Sequence, residues 1–142
     1  METSSTAETA ARLRRAITRM NRKLRGSTQG TISPAQVSML ASIEKGDNPS
    51  LGDLAVAEQV QPPSVTRMAH AMELAGLIQL VQDSDDRRCT RVQITALGKA
   101  ELASIRQRKT EFLERTLIAL SPSERRKADE LVTFLEALLE EL

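Results

Sequence analysis

Three serine-led segments constrain how this chain can fold, because each has the form of a helix start. The segments are SPAQ at 33–36, SLGD at 50–53 and SPSE at 121–124. Each serine stands three residues before a side chain that can accept a hydrogen bond from the serine's backbone. Two of the segments also place proline at the first helical position. We therefore predict helices that begin at these three points.

A charged stretch, QDSDDRRCTRVQIT at 82–95, sets the second constraint. The run LIQLVQ leads into it and has the composition of a strand, and Val92 and Ile94 alternate with Arg91 and Gln93 after the charges. Alternation with a period of two is typical of a strand with one buried face. The sequence therefore predicts a β-hairpin whose tip carries acids and arginines.

Long amphipathic helices are predicted at both ends of the chain. Along the first, which ends near Gly26, apolar residues recur at steps of three and four. They are Ala10, Leu13, Ile17, Met20 and Leu24. Two more helices are predicted, from about Ala96 to Leu120 and from about Pro122 to Leu142, and the last carries an apolar stripe of its own. An apolar stripe on a helix needs a partner that covers it.

Between the outer helices the sequence predicts three short helices followed by the hairpin. Short apolar runs follow SPAQ and SLGD and mark the first two. The third begins in QPPSVTRM at 61–68, and Gly76 supplies its stop. The order helix, helix, helix, strand, turn, strand is that of a winged helix-turn-helix. The predicted fold class is therefore mainly α with a small β-hairpin wing.

The third short helix has an outward face suited to reading base edges in a major groove. With Val65, Met68 and Met72 turned inward, that face carries Pro63, Thr66, Arg67, His70 and Leu74. Arg67 is the expected guanine contact, because its guanidinium fork can bond two acceptors at once. Ser64 lies at the N-terminal end, where free backbone N–H groups favour a phosphate. The alternative is an ordinary surface helix with a solvated arginine.

Arginines at the hairpin tip suit the minor groove of DNA, whose negative potential attracts guanidinium groups. The expected contacts are Arg87, Arg88 and Arg91, with Asp83, Asp85 or Asp86 holding an arginine in place. The alternative is an exposed turn whose ion pairs contribute about 0–1 kcal/mol each and recognise nothing.

Composition argues against an enzyme or a metal protein. The chain has one histidine, His70, one cysteine, Cys89, and neither tyrosine nor tryptophan. Residues for acid-base, nucleophilic or metal-ligand sets are therefore scarce, and we expect no catalytic residue, no cofactor and no metal. Cys89 cannot form an internal disulfide. Because arginines flank it, it is either a readily oxidised thiol or an ordinary wing cysteine.

Neither charge nor hydropathy indicates a membrane protein. No apolar stretch approaches the ~20 residues of a membrane span, and the segment METSSTAETAARLRR lacks the apolar block of a secretory signal. We expect a cytoplasmic protein with no membrane partner. The formal net charge is only +1, so attraction to a polyanion must come from where the charges lie.

Three segments, taken in order, resemble the MarR family of bacterial winged helix-turn-helix transcription regulators. They are SPAQVSMLASI, SLGDLAVAEQVQPPSVTRMAHAMELAGLI and DSDDRRCTRVQITALGKA. The most specific part is a D-x-x-D-R-R wing followed by the run VQITALG. The resemblance implies a DNA-binding lobe at 31–96, between an N-terminal dimerisation helix at 1–30 and C-terminal dimerisation helices at 97–142. The outer helices are expected to form one structural domain.

The resemblance also implies site residues and partners. An obligate homodimer would use Leu13, Ile17, Met20, Leu131, Phe134, Leu135 and Leu138 of the apolar stripes. DNA would be contacted by Pro63, Ser64, Thr66, Arg67 and His70 of the third short helix and by Asp86, Arg87, Arg88 and Arg91 of the wing. Ser50 and Gln61 would contact the DNA backbone. The implied partners are a palindromic double-stranded operator and a small aromatic anion that releases it.

The predicted function is sequence-specific binding of double-stranded DNA by a dimeric repressor that a small-molecule ligand releases. The alternative is a helical dimeric protein-interaction module that uses the winged lobe without DNA. The near-zero net charge and the lack of a densely basic third helix favour that alternative. An enzyme is the least supported class, because the chain lacks a cluster of titratable residues.

Overall fold

The computed structural model describes residues 4–28, 30 and 32–142, and within them the chain forms six helices and two strands. The helices are α1 (Thr6–Gly26), α2 (Pro34–Gly46), α3 (Leu51–Glu58), α4 (Pro62–Leu74), α5 (Ala96–Ile118) and α6 (Pro122–Glu140). The strands are β1 (Ile78–Gln82) and β2 (Thr90–Ile94). The predicted mainly α fold with a hairpin wing is confirmed. Positions 1–3 and 29 of the predicted N-terminal segment, and position 31, lie outside the described residues.

The three serine-led segments begin helices as predicted. At the start of α2 the Ser33 hydroxyl accepts from the Gln36 N–H at 3.2 Å, and the Gln36 side chain accepts from the Ser33 N–H at 3.0 Å. The same reciprocal pair forms between Ser50 and Asp53 at the start of α3, and between Ser121 and Glu124 at the start of α6. Each box satisfies two backbone donors that a helix start otherwise leaves open.

A single apolar core lies inside the winged lobe. Its buried side chains come from all three short helices, both strands and the first half of α5. They include Met39, Leu40, Ile43, Leu54, Val65, Met72, Ile78, Val92 and Leu102. Burial of each such side chain contributes about 1.5–3 kcal/mol. Because α5 supplies part of this core, the lobe and the long helix cannot separate without exposing it.

The wing is an antiparallel hairpin that also pairs with the segment before α3. Ile78 lies opposite Ile94, and Gln82 lies opposite Thr90. On the other side of β2, Ser50 forms a bridge with Arg91, and the Val92 N–H donates to the carbonyl of Pro49 at 2.9 Å. This isolated bridge was not predicted, and it attaches the wing to the start of α3.

Thr95 connects the wing to α5 through three hydrogen bonds. Its hydroxyl accepts from the Gly98 N–H at 3.1 Å and donates to the carbonyl of Gly76 at 2.6 Å, while its own N–H donates to the carbonyl of Leu77 at 3.0 Å. Gly98 is buried against this junction, and a Cβ there would overlap the Leu77 carbonyl oxygen. The direction in which α5 leaves the lobe is therefore fixed by backbone contacts.

The outermost helices keep their apolar stripes open. Neither α1 nor α6, both of which lie entirely within the described residues, contains a buried residue. Ile17 is 52% exposed and Phe134 is 58% exposed, while Leu13, Leu135 and Leu138 are half-buried. The apolar stripes that the sequence predicts are thus left without a complete cover in one chain.

Gly98→Ala should destabilise the fold strongly, because the added methyl group meets backbone that cannot rotate away. We expect a loss of about 3 kcal/mol or more in the free energy of unfolding, measured by urea denaturation. Gly52→Ala is the matched control. Its methyl group would have only the Ser50 hydroxyl nearby, at 3.7 Å, and alanine in a helix gains about 0.5–1 kcal/mol over glycine. Equal effects of the two substitutions would contradict this account of Gly98.

Candidate nucleic-acid interface

Helix α4 turns one side to the core and the other to solvent. Val65, Ala69 and Met72 are buried. On the opposite side Pro63, Arg67 and His70 are exposed, whereas Ser64 and Thr66 are half-buried. The Thr66 hydroxyl donates to the carbonyl of Pro62 at 3.1 Å, so it is already partly engaged. Arg67 and His70 are therefore the long polar side chains that this face offers to a ligand.

The start of α4 does not offer the free backbone donors that were expected beside Ser64. Pro62 and Pro63 occupy the first two helical positions and have no N–H group. The next donor, the N–H of Ser64, bonds to the carbonyl of Gln61 at 3.0 Å. The prediction that free N–H groups favour a phosphate here is therefore wrong, and a contact at this end must come from side chains.

The two residues expected to contact the DNA backbone differ in what they have free. The N–H of Ser50 donates to the Asp53 carboxylate, and its hydroxyl accepts from the Asp53 N–H but keeps its own proton to donate. Gln61 is exposed at the start of α4, and its side chain forms no capping hydrogen bond with the described residues. Gln61 therefore keeps its side-chain amide for a phosphate, whereas Ser50 keeps only its hydroxyl proton.

Leu74, on the last turn of α4, packs against no other element. It is 91% exposed. The expectation that it belongs to the outward face is confirmed, and nothing in the described structure explains why an apolar residue stands there.

The wing tip presents two exposed arginines on a turn organised by aspartates. The side chain of Arg88 is 94% exposed and lies 3.4 Å from Asp86, whose carboxylate also accepts from the Arg88 N–H at 3.0 Å. Arg87 forms no ion pair with the described residues, and its carbonyl accepts from the Gln82 side chain at 2.7 Å. The backbone of the tip is thus held while both guanidinium groups point to solvent.

Arg91 does not lie at the tip, contrary to the prediction. It belongs to β2, opposite Val81, and is half-buried. Its Nε and Nη2 lie 3.3 and 3.2 Å from Oδ2 of Asp83, and its Nη1 lies 3.8 Å from Asp53 at the start of α3. The reason for the difference is the strand register, which places this side chain over the first turn of α3. Arg91 therefore ties the wing to the helix-turn-helix.

Of the three aspartates expected to hold an arginine, Asp85 does not. Within the described structure its N–H donates to Asp83 at 3.1 Å, and its carboxylate forms no ion pair. Asp83 holds Arg91, and Asp86 holds Arg88. The aspartates of the tip therefore divide into two that orient arginines and one that shapes the turn.

Hydrogen bonds shift the pKa values around Arg91. The pKa of Asp83 lies below its ordinary value, first because the Asp85 N–H donates to it and then because Arg91 does. The pKa of Asp53 is also lowered, chiefly by the backbone and side chain of Ser50 and less by the charge of Arg91. The pKa of Arg91 is raised, with Asp83 as the main cause. All three groups are therefore held in their charged forms at neutral pH.

The one histidine and the one cysteine belong to different elements of the lobe. His70 is on the outward face of α4, whereas Cys89 is half-buried in the wing turn, where its N–H donates to the carbonyl of Asp86 at 2.9 Å. Among the described residues no three histidine, cysteine or acidic side chains are placed to hold a metal ion. Nor does any described helix combine the length and the apolar character that crossing a membrane requires.

A cavity of about 630 Å³ lies apart from this interface, where the end of α1 meets the start of α2 and the middle of α5. Its walls include two cations, three hydroxyl-bearing residues and apolar side chains. Among them are Arg25, Ile32, Ser33, Val37, Ser38 and Lys109. No pocket was predicted, because its walls come from three distant parts of the sequence.

Comparison with known proteins gives the class to which this fold and surface belong. A family model described as the MarR family matches residues 32–90. A similar protein, an uncharacterized HTH-type transcriptional regulator of Mycobacterium bovis, is 30% identical over 122 residues, or 85% of each chain. The HTH-type transcriptional repressor MdtR of Bacillus subtilis is 28% identical over 93 residues, which cover 66% of this chain and 60% of that one.

The fold is also that of solved regulators. A mutant MepR of Staphylococcus aureus, bound to an oligodeoxyribonucleotide, matches with a TM-score of 0.71 at 21% identity and covers 92% of this chain and 97% of that one. The lobe thus belongs to the winged helix-turn-helix transcription regulators. This chain is a member of the MarR family, as its sequence had suggested.

The Asp83–Arg91 pair should make stability depend on pH in acid. Because the folded-state pKa of Asp83 lies below the ordinary value of 3.8, its contribution is complete above that value and is lost as the pH falls through the lowered pKa. We expect the stability advantage of wild type over Asp83→Asn to shrink between about pH 5 and pH 2 in urea unfolding. Asp85→Asn, which removes a carboxylate that holds no described arginine, is the control. A constant advantage would contradict the assignment.

Proposed function

We propose that this regulator is a homodimeric repressor that reads double-stranded DNA with α4 and the wing tip. The observation that carries the proposal is that both parts present exposed basic side chains on the same lobe. Arg67 and His70 face solvent on α4, Arg87 and Arg88 face solvent on the wing, and Arg91 locks the wing to the same lobe. An exposed helix can enter a major groove while arginines lie in the adjacent minor groove.

The chain's small net charge is compatible with this function because of how its arginines are used. Arg91 forms ion pairs with Asp83 and Asp53, but Arg67 and Arg87 form no ion pair with the described residues. Unpaired guanidinium groups can bond base edges or phosphates without first breaking an internal contact. Arg67 and Arg87 therefore place positive charge on α4 and on the wing tip, although the whole chain carries only +1.

The open stripes of α1 and α6 support a dimer. Ile17, Met20, Leu131 and Phe134 are each more than half exposed, which is unusual for apolar residues at helical spacing. A second copy of the chain would cover them and bring two lobes together. To engage successive major grooves on one face of a duplex, the two α4 helices must lie about 34 Å apart, which requires a palindromic operator.

The cavity supports release by a small aromatic anion. Arg25 and Lys109 supply positive charge, while Ile32, Pro34 and Val37 supply apolar surface. Such a ligand would weaken DNA binding only to the extent that it prefers a dimer with another lobe separation. The repressor role is supported by the similarity to MdtR, which is named a transcriptional repressor.

A protein-interaction module that does not bind DNA is the competing function. The exposed Leu74 favours it, because a 91% exposed leucine on the recognition surface is a plausible protein contact. A gel shift with the DNA upstream of the chain's own gene, at two salt concentrations, separates the two. A shifted DNA band that weakens steeply as the salt concentration rises supports DNA binding. The absence of a shifted band at both salt concentrations supports the protein-interaction module.

Arg67→Ala should weaken binding to the preferred DNA by about 1–3 kcal/mol and binding to random DNA by less, because a base contact is lost. Fluorescence anisotropy with both DNAs measures the difference. Arg126→Ala, which removes an exposed arginine of α6 instead, should leave the preference between the two DNAs unchanged. Equal losses on both DNAs would mean that Arg67 contacts phosphate rather than base.

Phe134→Glu should convert the dimer into monomers, because it places a charge inside the stripe that the second copy covers. Sedimentation velocity gives the mass directly, and DNA affinity should fall with it, since one lobe then binds alone. Thr133→Glu adds the same charge to an exposed residue beside the stripe and should leave the dimer intact. A monomeric wild type, or a dimeric Phe134→Glu, would contradict the proposed assembly.

A further inference from the structure

Glu58, the last residue of α3, has a carboxylate that α2 holds with two hydroxyls. The Ser38 hydroxyl donates to Oε2 at 2.7 Å, and the Ser42 hydroxyl donates to Oε1. The two serines lie four residues apart and so occupy one face of α2. Both oxygens of the carboxylate are therefore engaged by residues distant in sequence.

This contact stands directly before the turn that sets the direction of α4. Gln59 has a φ of 54°, a left-handed conformation that ends α3, and α4 begins at Pro62. The turn is short, and the Val60 N–H donates back to the carbonyl of Ala55 at 3.1 Å. No side chain of the described residues caps the start of α4, so the short turn after Glu58 joins it to α3. A shift of Glu58 would therefore be transmitted to α4.

Ser38 has a second neighbour, because it also forms part of the cavity wall. The cavity contains the cations Arg25 and Lys109, whereas Ser42 is not among its lining residues. A serine hydroxyl has one proton and can donate to only one acceptor at a time. An anion drawn into the cavity therefore competes with Glu58 for the proton of Ser38, and its negative charge also repels the carboxylate.

We propose that Glu58 is a positioning residue for α4, and that Ser38 is the point at which an anion in the cavity acts on it. Loss of the Ser38 hydrogen bond leaves Glu58 with Ser42 alone. The end of α3 then loosens, and α4 no longer keeps the direction that DNA requires. This inference rests on the proposed function, in which α4 reads DNA and an anion releases it.

A covalently attached charge tests the inference without knowledge of the natural ligand. In a Cys89→Ser background, Ser38→Cys carries the only thiol and can be modified with a sulfonatoethyl methanethiosulfonate or with its neutral methyl analogue. We expect the anionic adduct to lower DNA affinity about tenfold relative to the neutral one, because both adducts lack the Ser38 hydroxyl and only the sulfonate repels the Glu58 carboxylate. The amide NMR signals of Gln59, Val60 and Gln61 should shift between the two adducts.

Asn21→Cys is the matched control, since Asn21 lines the same cavity from α1. There the anionic and neutral adducts should differ by less than about twofold in DNA affinity, as no bond to Glu58 is involved. Adding Glu58→Gln to Ser38→Cys removes the charge that the adduct repels and should reduce the tenfold difference. Equal effects at positions 21 and 38, or an effect at position 38 that Glu58→Gln leaves unchanged, would overturn the proposal.

The NMR signals separate this inference from the proposed function. If the wild-type protein binds no DNA, the proposed function fails, and the inference is then judged on the amide shifts alone. Shifts at Gln59, Val60 and Gln61 that follow the charge at position 38 but not at position 21 would support the link through Glu58. Unmoved signals would overturn it.

Discussion

The hydrogen bonds that the side chain and backbone of Thr95 form are the contact on which the rest of the structure depends. One threonine bonds to the carbonyls that follow α4 and to the first turn of α5, and Gly98 lets the helix come close enough for this. Helix α4, the wing and α5 thus diverge from one point. Because Leu102 of α5 is also part of the lobe's core, a movement of α5 carries the lobe as one body.

Arginines of the same lobe have different functions because their surroundings differ. Arg91 is half-buried between two aspartates and acts on the wing's position, whereas Arg67 and Arg87 are exposed and free to meet a ligand. A buried or shared guanidinium group gains its bonds within the protein, while an exposed one keeps its donors for DNA. Net charge therefore says little about this surface, and the distribution of partners says more.

Local sequence patterns predicted the helices and strands, but they could not predict contacts between segments that lie far apart in the sequence. The serine boxes, the apolar stripes and the hairpin follow from residues within a few positions of each other, so they could be predicted from the sequence. The ion pair between Arg91 and Asp53 depends on the β-bridge between Ser50 and Arg91 of β2, which no short sequence pattern encodes. The cavity likewise needs three separate helices. The missing donors at Pro62 and Pro63 were legible in the sequence, because proline has no N–H group.

The paired prolines at the start of α4 remove two N–H groups through which a helix start usually binds an anion. The helix dipole still makes that end electropositive, but neither of its first two residues has an N–H hydrogen to donate to an anion's oxygen. Exchange of Pro63 for a residue other than proline would restore one such hydrogen at the exposed start of α4. The start of α4 thus keeps the charge of a helix terminus while it lacks the N–H groups through which that charge usually binds an anion.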